Sequence, residues 1–394
     1  MTNTFKVISL VFLIAFSNYL TAQQINDGGD LSTGQALNKS YNTITTAVPF
    51  LTIAADSRGG GMGDLGAATT TDVWSQQWNA SKYALAQKDF AVGLAYTPWL
   101  AHITNDINLI YLSGYKKLQG KNQALGASLR YFSIGDIPAY DEDGTPSGYE
   151  ISPREWTVDF SYSRQLADKF VMALTGRFIF SNLNNDYDEE YKPGKAVAAD
   201  ISGTYFEDKM RIGAIPAAFR AGFNISNIGS KIAYTQNQKD FIPTNLKIGA
   251  GLNLDIDKHN DLGIYVDVNK LLVPTPPQRN SEGAIVAGKD PDVSPITGII
   301  QSFYDAPGGF SEEMNECMIS AGAEYWYNKQ FALRGGYFHE AKTKGDRKYF
   351  TLGLGLKMNV FGIDVAYLIT VKGTNSPLAN TFRFSLSFDF DAVK

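Results

Sequence analysis

Cysteine and histidine are scarce in this sequence, which holds one cysteine, Cys317, and three scattered histidines at positions 102, 259 and 339. A lone cysteine cannot form an internal disulfide, and isolated histidines do not supply the clustered ligands of a zinc or haem site. The formal net charge is −5 and no basic block occurs, which argues against nucleic acid as a partner. The sequence therefore predicts a protein without a disulfide, a metal site, a cofactor or a nucleic-acid partner.

Long hydrophobic runs are also absent. No stretch reaches the about 18 predominantly apolar residues that a membrane-spanning helix needs. The short apolar run Val7–Phe16 follows Lys6 and precedes a polar stretch, which is typical of a secretory signal peptide with cleavage after Ala22. We interpret residues 1–22 as a signal peptide.

The chain is rich in glycine and aromatic residues, with 37 Gly, 24 Phe and 21 Tyr, and it carries a two-residue alternation. The alternation is clearest in residues 381–390, where Phe382, Phe384, Leu386, Phe388 and Phe390 share one face. Arg383, Ser385, Ser387 and Asp389 occupy the other face. A strand with one apolar face and one polar face suits a wall between lipid and an aqueous lumen.

Fourteen segments with this periodicity, some less regular than others, occur from residue 89 onward. They lie near residues 90–96, 105–115, 123–132, 156–163, 169–180, 196–206, 216–226, 245–254, 261–271, 317–327, 330–339, 350–357, 360–371 and 381–390. The connections after even-numbered segments are short, and those after odd-numbered segments are mostly longer. This asymmetry is typical of outer-membrane barrels, and a soluble sandwich or propeller does not predict it.

We therefore predict an all-β transmembrane barrel of 14 antiparallel strands over residues 89–394, with long extracellular loops. Residues 23–88 do not share the repeat and are predicted to form an N-terminal periplasmic or plug segment. The glycine-rich stretch Gly59–Gly66 lacks the Lys-Ser/Thr of a nucleotide-binding loop. Its glycines instead favour close packing of the plug against the barrel wall.

Two parts of the plug segment resemble known outer-membrane families. Met62–Ala68, Asp72 and Trp78–Lys82 resemble the N-terminal signature of FadL-like transporters, which are 14-stranded barrels with an N-terminal plug. Ala80 and Ser81 replace the usual Pro-Ala of that signature, which predicts a less rigid local chain.

A second resemblance is more specific. Ala47–Ala54, Asp56–Arg58 and Gly61–Gly63, together with Asn224–Gly229 and Ile242–Lys247, resemble the PorV (LptO) branch of type IX secretion systems. The resemblance implies a non-enzymatic outer-membrane protein that binds the translocon barrel and receives cargo through its C-terminal signal domain. It also implies delivery of cargo to a surface attachment complex that includes a sortase-like protease. The structural plug residues expected from these motifs are Phe50, Arg58, Gly61, Gly63, Asp64, Gly66 and Asn79.

The longest loop, Leu272–Glu316, contains an apolar pattern at helical spacing and opens with the rigid stretch Val273–Pro277. The pattern predicts a short amphipathic helix whose apolar face either packs over the barrel mouth as a lid or docks into a partner. The candidate partner-binding residues are Ile296, Ile299, Ile300, Phe303, Tyr304 and Phe310.

Two alternative functions stay open at this point. Inward-facing glycines such as Gly249 and Gly353 leave space for a hydrophobic small molecule in a FadL-like transporter, or they seat the plug. A lipopolysaccharide deacylase needs a paired Ser and His, and only His339 is suitably placed. The acidic clusters at residues 141–143 and 186–190 are interpreted as solvated loop charge rather than as calcium sites or bridges to lipopolysaccharide.

Overall fold

The computed structural model describes residues 42–99, 106–120, 122–140, 145–183, 191–236, 238–371 and 381–391. Within them, 14 antiparallel strands close into a barrel in which each strand pairs with its neighbours in sequence and the last pairs with the first. The strands are β1 Phe90–Pro98, β2 Asn108–Leu118, β3 Gln123–Ser133, β4 Arg154–Ala167, β5 Phe170–Asn182, β6 Gly194–Ile212, β7 Ile215–Gly229, β8 Asn245–Asp255, β9 Asn260–Leu271, β10 Met318–Tyr327, β11 Phe331–His339, β12 Lys348–Met358, β13 Phe361–Thr370 and β14 Phe382–Phe390. The predicted 14-strand barrel is thus confirmed.

Several predicted features lie outside the described residues. They are the signal peptide 1–22, the first part of the plug segment at 23–41, and the acidic clusters at 141–143 and 186–190. None of the helices in the described ranges has the length and apolar character needed to cross a membrane.

The terminal strand β14 closes the barrel as its sequence pattern predicts. It pairs with β1 from Phe90 opposite Phe390 to Tyr96 opposite Phe384. Phe384 is exposed on the outer wall, whereas Arg383 is buried on the inner side. The phenylalanine face is therefore the one that meets lipid.

The two ends of the barrel differ as the connection lengths predict. Even-numbered strands are followed by turns of two to four residues, several of which use left-handed backbone, such as Asn122, Asn359 and Gly213. The longer connections lie at the other end and include two short hairpins, Ile137–Tyr140 with Pro146–Ile151 and Gln278–Arg279 with Ile285–Ala287. We call the long-loop end the outer mouth and the other the inner end, since outer-membrane barrels keep their short turns in the periplasm.

Strand β2 explains why its alternation is unclear in the sequence. Ile110 and Leu112 are exposed on the outer wall, and Leu109, Tyr111 and Tyr115 are buried on the inner wall. Both faces are apolar because this sector of the lumen packs against the hydrophobic part of the plug. A strand that is apolar on both faces loses the two-residue contrast between apolar and polar side chains.

The described part of the N-terminal segment crosses the lumen from the outer mouth to the inner end. It contains two 3₁₀ helices, Pro49–Thr52 and Ala80–Leu85, and two one-turn helices, α1 Ser57–Gly60 and α2 Ser75–Trp78. Asn42 donates its backbone N–H to Thr343 in the β11–β12 connection, and Asp89 donates to Phe390 at the inner end. The segment from residue 42 onward is therefore a plug inside the barrel, and its first described residues lie at the outer mouth rather than on the periplasmic side.

Candidate functional site

Glycines on both sides of the interface let the plug approach the barrel wall. A Cβ added at Gly336 would lie 2.1 Å from the carbonyl carbon of Met62, and one at Gly249 would lie 3.0 Å from the Cβ of Ala67. Gly61 and Gly353 meet backbone to backbone, since a Cβ on Gly61 would lie 3.0 Å from the Cα of Gly353. Gly249 and Gly353 thus seat the plug rather than leave a ligand space.

Arg58 joins the plug to the wall through buried ion pairs. Its guanidinium donates to both carboxylate oxygens of Glu324, at 2.9 and 2.7 Å, and to Asp72 at 2.7 Å. Glu324 also accepts from Arg334 at 2.7 Å, and Arg334 donates to Asp364 at 2.6 Å. The charges alternate through this network, so each buried ion has a partner of opposite sign.

Gly63 and Asp64 make a tight turn against another sector of the wall. Both have positive φ, 83° and 62°, and a Cβ on Gly63 would lie 2.8 Å from the Tyr337 carbonyl oxygen. Asp64 accepts hydrogen bonds from Arg383 and from the Tyr349 hydroxyl, both at 2.6 Å. This turn fixes the middle of the plug to β12 and β14.

Gly66 and Phe50 contact further strands. The backbone N–H groups of Gly66 and Ala67 both donate to one carboxylate oxygen of Asp267, at 2.8 and 2.9 Å. The Phe50 ring stacks on Phe132 with centroids 5.9 Å apart, close to the outer mouth. These contacts extend the attachment of the plug to β3 and β9.

Asn79 and Ser81 stabilise the position where the chain departs from the FadL-like pattern. Asn79 donates its amide to the carbonyl of Ala67 at 2.8 Å and to the Thr204 hydroxyl at 2.9 Å. Its side-chain oxygen accepts from the Ser81 hydroxyl at 2.6 Å. Side-chain hydrogen bonds thus fix the segment where the resemblance expects a proline, and the lower rigidity predicted from Ala80 and Ser81 is offset.

The predicted plug residues are spread over the whole lumen and do not form one site. They contact several sectors of the wall, among them β3, β6, β9, β10, β12 and β14, and together they hold the plug in place. The network partners Glu324, Arg334 and Asp364 were not among the sequence-derived candidates. Their pairing depends on strand register, which the alternation pattern alone does not specify.

The lumen retains a small polar cavity. Its volume is about 30 Å³, and it is lined by Leu51, Gln77, Arg130, Thr157, Asp159, Arg177, Ser226 and Asn227. Arg177 pairs within it with Asp159 at 2.7 Å and with Asp200 at 3.0 Å. Leu51 is the single aliphatic lining residue, so this cavity is poorly suited to a hydrophobic molecule.

The outer loop, residues 272–317, presents an apolar surface. Helix α3, Pro295–Gln301, exposes Ile296 and Ile300 and packs Gly298 inward against Phe241. The helix ends at Gln301, three residues before the end of the apolar pattern that predicted it. The chain turns at Ser302, the C-cap residue, whose backbone N–H donates a hydrogen bond to the carbonyl oxygen of Gly298.

Four further positions complete the candidate set. Phe303 and Tyr304 follow the helix and are exposed, whereas Ile299 is half-buried. Phe310 opens helix α4, Phe310–Asn315, and is 80% exposed. Met314, one turn after Phe310, is also exposed. It was not among the residues predicted from the sequence, although its spacing of four residues from Phe310 indicates the same helix face. We define the outer-loop patch as Ile296, Ile300, Phe303, Tyr304, Phe310 and Met314.

A buried cluster of ion pairs anchors this loop to the outer mouth. We call it the outer clasp, and it consists of Lys270, Glu312, Glu313, Glu316 and Lys344. Lys270 binds Glu313 at 3.0 Å and also Glu316, and Lys344 binds Glu312 at 2.6 Å and Glu316 at 3.0 Å. The outer-loop patch is therefore carried by an ordered loop, and the sequence did not reveal the clasp because its members come from three separate segments.

Asp305 lies beside the clasp and is the most perturbed acid of the outer loop. It is almost completely buried and accepts a hydrogen bond from the backbone N–H of Thr275 at 3.1 Å. Burial raises the pKa of Asp305 to about 6, and the neighbouring carboxylates of Glu313 and Glu316 act in the same direction. Its protonation is therefore linked to how firmly the loop is held.

His339 lies at the outer end of β11. The nearest hydrogen-bonding group to its ring is the Tyr337 hydroxyl, 3.4 Å away, and its neighbours across the sheet are Ile319 and Lys348. Among the described residues no serine hydroxyl lies within hydrogen-bond distance of it. The same residues contain no group of three or more His, Cys, Asp or Glu arranged to hold a metal ion.

A closed 14-strand wall with apolar residues outside and a plugged, polar lumen defines an outer-membrane β-barrel protein. The PorV family model, described as type IX secretion system protein PorV, matches residues 36–278, more than half of the chain. The chain belongs to the PorV family. Membership places it in the outer membrane, implies a part in type IX secretion and suggests a non-enzymatic role.

Solved structures of similar fold include two toluene transporters and a FadL homologue. The toluene transporter TodX of Pseudomonas putida is 12% identical with a TM-score of 0.50, over 86% of this chain and 99% of that chain. The toluene transporter TbuX of Ralstonia pickettii is 13% identical with a TM-score of 0.46, over 86% and 99%. A FadL homologue of Pseudomonas aeruginosa is 10% identical with a TM-score of 0.44, over 89% and 100%. At these identities the similarity concerns the fold alone, and a comparison with curated protein sequences found no match.

Proposed function

We propose that this protein binds the type IX translocon barrel through the outer-loop patch. In this role it receives secreted cargo by the cargo's C-terminal signal domain and passes it to the surface attachment complex, which includes a sortase-like protease. The barrel acts as an adaptor in the outer membrane and not as a conduit. No catalytic step is required of it.

The observation that carries this proposal is the exposure of the patch on an anchored loop. Five large apolar side chains at the outer mouth are at least half exposed, and Phe310 is 80% exposed. A group of exposed large apolar side chains on one loop usually marks an interaction site. The outer clasp holds the loop in one arrangement, which lowers the entropy cost of docking.

The plugged lumen gives less support to transport of hydrophobic small molecules. The wall glycines that might line a pocket contact the plug instead, and the cavity inside the lumen is polar, while a second pocket at the outer mouth has a mixed lining that includes Ile44, Leu271 and Met318. Lipopolysaccharide deacylation is also less supported, because the described residues place a tyrosine hydroxyl and no serine within hydrogen-bond distance of His339. Contact of the outer wall with lipid and lipopolysaccharide follows from the exposed apolar band.

Replacing Phe303 and Phe310 with Asp tests the docking proposal. Interface hot spots are usually buried aromatic residues, so the amount of translocon that co-purifies should fall about tenfold or more. The barrel should fold normally, because both side chains are exposed and neither belongs to the outer clasp. Folding is checked by the heat-dependent change in gel migration of the barrel.

Val286→Asp is the matched control, since Val286 is an exposed apolar residue of the same loop outside the patch. It should leave the recovery of the translocon unchanged. Full recovery with the Phe303 and Phe310 variant, in a correctly folded barrel, would show that the patch is not the docking surface.

A further inference from the structure

The first described residues of the plug are attached to two outer connections. The backbone N–H of Asn42 donates to the carbonyl of Thr343 at 3.0 Å, in the β11–β12 connection. Its side-chain amide donates to the carbonyl of Pro276 at 3.1 Å and to the carboxylate of Glu312 at 2.9 Å, both in the outer loop. One residue of the plug therefore bridges the loop that carries the patch and a neighbouring loop.

The same segment continues directly into the lumen. Ala47 donates its backbone N–H to the carbonyl of Phe241 in the β7–β8 connection at 2.9 Å. Three residues later, Phe50 stacks on Phe132 of the wall, and its carbonyl accepts from the buried Arg130 at 3.0 Å. The plug is thus continuous, through a short and well-bonded segment, with the attachment at Asn42.

Glu312 connects this attachment to the patch. It lies in α4 two residues after Phe310, and it accepts from Lys344 at 2.6 Å and from the backbone N–H of Gly308 at 2.7 Å. Burial opposes ionisation of Glu312, but Lys344, the Gly308 N–H and the Asn42 amide outweigh it and lower its pKa. Glu312 is therefore a carboxylate at neutral pH, and Asn42 is one of its donors.

We propose that Asn42 is a positioning residue that couples the plug to the presentation of the outer-loop patch, so that a barrel docks its partner only when its plug is in place. This inference rests on the proposed function of the patch and adds a condition to it. Without the bonds from Asn42, α4 and the start of the outer loop lose their contact with the plug, and the outer clasp alone holds the loop. The patch would then move relative to the barrel and present its side chains in several arrangements, which weakens docking.

Asn42→Asp tests the coupling in the full-length protein in the outer membrane. The substitution places a second carboxylate at hydrogen-bond distance from Glu312, and the repulsion should detach the plug segment from the loop. Trypsin added to whole cells should cut the outer loop at the exposed Lys289 about tenfold faster, as for a loss of about 1.4 kcal/mol of local stability. The amount of translocon that co-purifies with the Asn42→Asp variant should fall.

Two variants serve as controls. Thr43→Asp adds the same charge at an exposed neighbouring residue and should resemble the wild type in both measurements. Glu312→Gln weakens the outer clasp by itself, so Asn42→Asp combined with Glu312→Gln is compared with Glu312→Gln alone and should add little to its effect, because the repulsion is gone. If Asn42→Asp fails to fold, Asn42→Ala removes the side-chain bonds without adding charge, and it should speed cleavage by about threefold.

The inference is overturned if a folded Asn42 variant shows wild-type cleavage and wild-type recovery, or if Thr43→Asp has the same effect as Asn42→Asp. Failure of this inference can be distinguished from failure of the docking proposal. If the Phe303 and Phe310 variant also retains its partner, docking through the patch is wrong, and the cleavage rate alone then decides whether Asn42 holds the loop.

Discussion

At the scale of single residues, the interior of this barrel is held together by paired charges. Arg58, Glu324 and Arg334 are all nearly inaccessible to solvent, and they connect the plug to β10 and β11. A buried ion that loses its partner is costly, because the remaining charge stays desolvated. The plug is consequently fixed by interactions that are hard to break one at a time.

Arg58→Met should lower the free energy of unfolding by about 3–5 kcal/mol, because it leaves Asp72 unpaired and removes one of the two cations that bind Glu324. Urea titration of the barrel in lipid vesicles measures this. The control is Lys258→Met, which changes an exposed lysine in the β8–β9 turn and should shift the value by no more than about 0.5 kcal/mol. A loss below about 1 kcal/mol for Arg58→Met would contradict the account of the network.

The resemblance to known families identified Arg58, Asp64 and Asn79 in the sequence, but it did not identify what they bind. The partner of Arg58 in the wall, Glu324, is 266 positions away, and that of Asp64, Arg383, is 319 positions away. Such pairs depend on the register of many intervening strands. The sequence predicts which residue types carry charge and which face of a strand they occupy. It does not predict which residue pairs with which.

At the scale of elements, alternation predicts a strand best where one face meets lipid and the other meets polar lumen. β14 has this arrangement, and its predicted limits agree with Phe382–Phe390 to within one residue. In β6 the prediction stops at residue 206, whereas the strand continues to Ile212. The part of the strand that was not predicted, residues 207–212, is rich in charged residues. Such a sequence is typical of a turn, but here it pairs with β7.

The outer loop is the element whose behaviour should depend on pH. Because the pKa of Asp305 in the folded loop is raised from 3.8 to about 6, the protonated form is favoured in the folded state. Its contribution to loop anchoring is complete below pH about 4 and is lost as the pH rises through about 6. Asp305→Asn should remove this dependence while keeping an acceptor for Thr275.

The measurement is the rate at which a broad-pH protease cuts the outer loop between pH 5 and pH 8. The ratio of the wild-type rate to the Asp305→Asn rate should rise between pH 5 and about 6 and level off above it, and taking the ratio cancels the pH dependence of the protease itself. A constant ratio would show that Asp305 does not titrate in this range or does not affect the loop.

At the scale of the whole molecule, the fold combines a transporter-like barrel with a filled lumen and an apolar surface outside it. The wall is closed by the pairing of β1 with β14, and the plug occupies the interior down to the inner end. Among the described residues at the outer mouth, the outer-loop patch is available to a partner, on a loop that the outer clasp orders. This arrangement fits a protein that works by binding other proteins in the outer membrane.

The most direct measurement of that role is the location of cargo in cells that lack this protein. Proteins that carry the C-terminal secretion signal domain are quantified in the periplasm and on the surface, in the deletion strain and after return of the wild-type gene. The account predicts that cargo accumulates in the periplasm of the deletion strain and reaches the surface again after complementation. Normal surface delivery in the deletion strain, with impaired uptake of hydrophobic compounds, would contradict it and favour a transporter.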